Sequence, residues 1–108
     1  MTISTLVLAL LLAGGDPNGA RKDFSACLHA FARANLEKKT APDAFDSLVA
    51  TACTSEEGEF RKAVIASDVS RGISRKTSEQ GVADEIADYR AVMKETYRGD
   101  FDAANKTN

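Results

Sequence analysis

The chain has no tryptophan and only five Phe and two Tyr among its 108 residues. That scarcity argues against the aromatic platforms on which single-stranded nucleic acids and sugars stack. An excess of positive charge is missing too. Fourteen Lys and Arg face sixteen Asp and Glu, and the sequence pI is about 5.4, without the basic face and high pI usual in a nucleic-acid binder. No stretch alternates apolar with polar residues in the manner of a half-buried strand, and the chain contains neither internal repeats nor low-complexity tracts. The longest uncharged apolar run, Ile3 to Ala13, spans 11 residues and is interrupted only by Ser4 and Thr5. A helix needs about 20 to cross a bilayer, so this run is too short for an anchor. No cysteine follows it closely enough to carry a lipid.

Eleven residues do match the apolar segment of a secretory signal peptide. Small residues follow at Ala13, Gly14 and Gly15, and again at Gly19 and Ala20. A cut after Gly15 would put Ala13 and Gly15 at the two positions where the peptidase needs small side chains. A cut after Ala20 would put Asn18 and Ala20 there, a poorer fit. The departure from the pattern is that no Lys or Arg precedes the run, leaving the amino terminus as its only positive charge. The competing reading is a buried first helix of the mature domain. Such a helix would be apolar on every side, and a small domain has little to surround it with. The sequence therefore predicts a signal peptide over residues 1–20, cut after Gly15 or Ala20, a helical domain over 21–99 and a flexible tail over 100–108.

What remains after cleavage, about 88 to 93 residues, is one domain's worth of chain, and helical spacing recurs along it. A first helix is predicted from about Arg21 to Lys39, with Phe24, Cys27, Leu28 and Phe31 on one face. Thr40, Pro42 and Asp43 supply a cap, a tolerated first-turn proline and a favourable charge for a second helix ending near Cys53. Its stripe is Phe45, Leu48, Val49, Ala52 and Cys53. Thr54 and Glu57 have capping-box spacing, opening a third helix over Ser55 to Arg71 that buries Phe60, Val64, Ile65 and Val69 and stops at Gly72. After a linker over Ile73 to Lys76, Thr77 and Gln80 repeat that spacing. The fourth helix carries Val82, Ile86, Tyr89, Met93 and Tyr97 to about Arg98, with Gly99 as its stop.

Cys27 and Cys53 each lie 13 residues from Thr40, on opposite sides of the turn between helices one and two. In an antiparallel hairpin both would stand about 20 Å from that turn, on the apolar faces. Equal height and a shared face are what a disulfide requires, and export would supply the oxidising compartment. Two cysteines 26 apart inside helices do not resemble a redox-catalytic pair, whose members sit two residues apart at a helix start.

The other constellations are weaker. His29 is the only histidine and does not share a helix face with Cys27, so no metal site is expected. "GISRK" at Gly72 lacks the second glycine of a nucleophile elbow, and no catalytic residues are assigned. Asp84, Glu85 and Asp88 form an acidic cluster without calcium-loop spacing, read as a solvated face. Arg71, Arg75 and Lys76 are the one compact basic cluster, beside a helix N-terminus that attracts anions. They are the candidate contact for an anion or an acidic partner. Asn105-Lys106-Thr107 matches a glycosylation acceptor.

The expectation is an all-α, compact and irregular four-helix domain with one disulfide, preceded by a cleavable signal peptide. It is a periplasmic or secreted, non-enzymatic binding domain for an envelope component or another exported protein, without nucleic acid, stable membrane insertion or cofactor. The alternative is a small-molecule-binding protein, or an enzyme with a weak signature, holding its ligand in a pocket between helices.

Overall fold

The computed structural model describes residues 15–106. The leader, apart from its last few residues, lies outside the described residues, as does Thr107 of the Asn105-Lys106-Thr107 acceptor. The described chain forms four helices: α1 (Pro17–Glu37), α2 (Pro42–Val49), α3 (Thr54–Ser70) and α4 (Arg75–Lys106). None of them is long and apolar enough to cross a membrane.

Helix α4 is the spine. Its 32 residues extend about 48 Å at 1.5 Å per residue, and it packs against all three other helices. Val82, Ile86, Met93 and Tyr97 are its buried apolar positions, spaced to keep one face turned inward. Around them gather Phe24, Leu28 and Ala32 of α1, Phe45 and Val49 of α2, and Phe60 of α3. Phe24, Phe60 and Tyr89 meet ring to ring at 5.8–6.4 Å between centroids. Farther along α4, Tyr97 stacks on Phe45 at 3.8 Å. Most of the predicted core is inside. Leu48 and Val69, expected on buried stripes, are instead 48% and 45% exposed.

Every helix start differs from its sequence expectation, for reasons visible in the caps. Helix α1 begins at Pro17 rather than Arg21. Asp16 is its N-cap, and the carboxylate accepts from the amides of Asn18 (3.4 Å) and Gly19 (3.2 Å). Thr40 does not cap α2. Its hydroxyl donates to Asn35 Oδ1 at 2.9 Å, its carbonyl accepts from the Tyr97 hydroxyl at 2.5 Å, and Ala41 stands at the N-cap instead. The Thr54–Glu57 capping box does not form, since Cys53 is the N-cap of α3 and the Glu57 carboxylate is held by Arg90 and Arg61. Helix α4 starts at Arg75 because Ser74, not Thr77, caps it: Ser74 Oγ accepts from the Thr77 amide at 3.2 Å. Arg75 and Lys76 therefore belong to a first helical turn rather than a linker.

The far end of α4 also differs. Gly99 does not stop the helix, which continues through the expected flexible tail to Lys106. An exposed glycine inside a helix costs only about 1 kcal/mol relative to alanine. The Phe101 ring packs against Tyr97 at 6.2 Å, so the next turn has something to hold.

Candidate functional site

The Cys27–Cys53 disulfide is formed, with the Cα atoms 6.1 Å apart. The route to it differs from the hairpin expected from sequence. Helix α2 ends at Val49, and the turn over residues 50–52 carries Cys53 to the start of α3. Helix α1 packs more on α3 than on α2, so the bond staples the middle of α1 to the α2–α3 junction. Cys53 reaches this position with φ +61°, in the left-handed region, where a residue with a Cβ is strained by about 1–2 kcal/mol.

One residue that the sequence reading missed organises the same junction. Arg90 occupies a buried position on the α4 stripe, four after Ile86 and three before Met93. Its Nη1 donates to the carbonyls of Val49 (2.7 Å) and Ala52 (2.8 Å), satisfying acceptors that the end of α2 leaves without helical partners. Its Nη2 donates to Glu57, and its guanidinium lies 5.3 Å from the Phe24 ring centre. A planar fork with five donors suits this set, whereas an ammonium would not. Burial works to raise the Glu57 carboxyl, but hydrogen bonds from Arg90 and Arg61 outweigh it and hold the group below its ordinary value. The signal for Arg90 was present in the sequence as a cation on an otherwise apolar spacing. What it would bind was not.

Beside the disulfide, α1 and the start of α3 form the walls of a solvent-open groove of about 820 Å³. Its lining includes Asp16, the N-cap of α1, and Asp23, Gly19, Ala20, Ala26 and Cys27 of α1, with Glu56 and Glu59 of α3. Glu59 is approached by Lys62 at 4.0 Å. Four acidic residues around one groove favour a cationic ligand by simple Coulomb attraction. The Cys27 and Cys53 sulfurs and a Glu56 oxygen lie within 4.8 Å of one another. In the disulfide the sulfurs offer no thiolate, the form that ligates metals.

The other singled-out residues are placed as follows. Arg71 is the C-cap of α3 and pairs with Asp68 at 2.9 Å. Arg75, across the turn, pairs with Glu79 at 3.7 Å on its own helix. Lys76 is exposed and borders a separate shallow hollow with Thr77, Gln80, Gly81 and Asp84. The basic cluster is thus divided between two helix ends, with two of its three charges matched locally. Glu85 leaves the acidic cluster to bind Arg21 at 2.7 Å, while Asp84 and Asp88 are exposed. His29 is exposed, its Nδ1 2.8 Å from the Ser25 carbonyl oxygen one turn earlier.

No protein-family model, curated protein or solved structure matches this chain.

Proposed function

We propose that this protein is an exported, disulfide-clamped helical domain that works by binding rather than by catalysis, and that the carboxylate-lined groove is its contact face for a basic surface on another exported protein or envelope component. The observation that carries the reading is the Cys27–Cys53 bond itself. Such bonds persist mainly in oxidising compartments, and this one ties together the two elements that line the groove. A rigid face loses less entropy on binding than a mobile one. The alternative, a small molecule held between helices, has less support. The helix interfaces are filled by Phe24, Leu28, Phe45, Val49, Phe60 and Val82, all fully buried, and the groove is open to solvent and carries four acidic residues, unlike the enclosed clefts that mostly hold small molecules.

Intact mass of the protein from its native host tests the first half. A truncated amino terminus and a two-dalton deficit are expected, whereas a complete chain with two free thiols would end the export reading. Cross-linking in the envelope fraction tests the second half. Cross-linked species should disappear in a D23K/E59K double variant and persist in R71A/R75A. The opposite pattern would move the contact to the α3–α4 turn.

A further inference from the structure

Two bonds are candidates for removal of the leader: the one after Gly15 has small residues, Ala13 and Gly15, at both required positions, and the one after Ala20 fits less well, with Asn18 at one of them. We infer that the cut falls at the Gly15–Asp16 bond, so that the mature chain begins with Asp16. This inference rests on the export reading above. One water hydrolyses the amide, leaving a carboxylate on Gly15 of the leader and an ammonium group on Asp16 of the domain.

Cleavage precedes folding, so the two cuts differ in the product they leave. A cut after Ala20 would remove Asp16 to Ala20. Asp16 is the N-cap of α1, in extended conformation at φ −66° and ψ 128°, with its carboxylate on the Asn18 and Gly19 amides. Its carbonyl accepts from the Ala20 amide at 2.9 Å. Pro17 fills the first helical position, the place in a helix where a proline fits best. Ala20 packs against the core. Asn18 accepts from Arg21 Nη1 at 2.7 Å, helping to aim a guanidinium that binds Glu85 at 2.7 Å and lies 5.1 Å from the Phe60 ring centre. The cap, the first helical turn, the Ala20 packing and the Asn18–Arg21 bond all belong to the folded domain and are lost with the later cut, which leaves Arg21 only its contacts with Glu85 and Phe60.

The earlier cut removes none of it. Gly15 is exposed and precedes the first capping interaction. The new ammonium group would be borne by a residue that lines the same groove as Asp23, Glu56 and Glu59. Their negative charge, with that of the Asp16 side chain, offsets the unfavourable placement of a cation at a helix N-terminus.

The test is to express the full chain in a Gram-negative host and determine the amino terminus of the periplasmic product by intact mass and terminal sequencing. A 93-residue chain beginning at Asp16 (108 less 15) is expected. A product beginning at Arg21, or at any other internal residue, overturns the assignment while leaving export standing. A product that keeps Met1 in the cytosol overturns export itself. Gly15→Leu supplies the second readout, because a large side chain at that position blocks the peptidase. The Asp16 product should be lost, with the chain left unprocessed or cut at a later bond; an undiminished product still beginning at Asp16 would overturn the assignment.

Discussion

The α2–α3 junction and the α3–α4 turn both reverse the chain between helices, and they are held in opposite ways. At the first, the partners come from far off: Cys27 lies 26 residues before Cys53, and Arg90 reaches back 41 residues to the Val49 carbonyl. At the second, each fastening is local. Gly72 takes φ +92°, the Ile73 amide returns to the Asp68 carbonyl at 3.0 Å, and Ser78, ten residues on, donates to Asp68 Oδ2 at 2.9 Å. Distant fastenings constrain the whole domain. Local ones shape only the turn.

The largest effect should come from the bond between sulfurs. Replacing Cys27 and Cys53 with alanine releases a loop of 26 residues, worth about 3.5 kcal/mol in the chain-entropy model. That is a large part of a small domain's stability, and a fall of well over ten degrees in the calorimetric midpoint is expected. Arg90→Ala comes next, at about 3 kcal/mol by denaturant titration, since it removes the donors that Arg90 gives to the Val49 and Ala52 carbonyls and leaves Glu57 with Arg61 alone. A pH series sharpens this prediction. The Glu57 carboxyl is held below its ordinary value of 4.5 in the folded state. The stability it contributes is therefore present above about pH 4.5 and lost as pH falls through the folded value. The gap between wild type and Arg90→Ala should narrow between pH 7 and pH 3. A constant gap would mean that the Glu57 pairing contributes nothing.

At the α3–α4 turn the effects shrink. Gly72→Ala should cost about 1 kcal/mol, all of it backbone strain, because an added Cβ would meet nothing within 4 Å. Arg71→Ala or Arg75→Ala should fall within about 0.5 kcal/mol, as exposed ion pairs usually do. A surface-pair variant that cost as much as Arg90→Ala would erase the contrast between the two connections.

The same contrast explains what could be read in advance. Four helices, their order, most of the inward faces and the pairing of the two cysteines were legible from spacing, though the bond closes at the α2–α3 junction rather than within an α1–α2 hairpin. Gly72 as the end of α3 was legible because the constraint is local. Capping was harder, since Thr40, Thr54 and Thr77 each have the right chemistry. Neighbouring residues decide the outcome: Tyr97 claims the Thr40 carbonyl, Arg90 claims Glu57, and Ser74 pre-empts Thr77. The continuation past Gly99 depends on the Tyr97–Phe101 contact, which a glycine signal hides. The groove joins residues more than 30 positions apart, Asp23 with Glu56 and Glu59, and no motif spacing announces such a meeting.

Helix α2 has only eight residues, too few to persist alone in water. Its approach is tied to Tyr97 through Thr40, and its far end is tied to Arg90. Both ties come from one rigid neighbour, so α2 has no hinge about which to open by itself. Its amide protons should exchange with deuterium only as fast as those of α4's centre, making this shortest helix a reporter of whole-domain unfolding rather than a fraying strip.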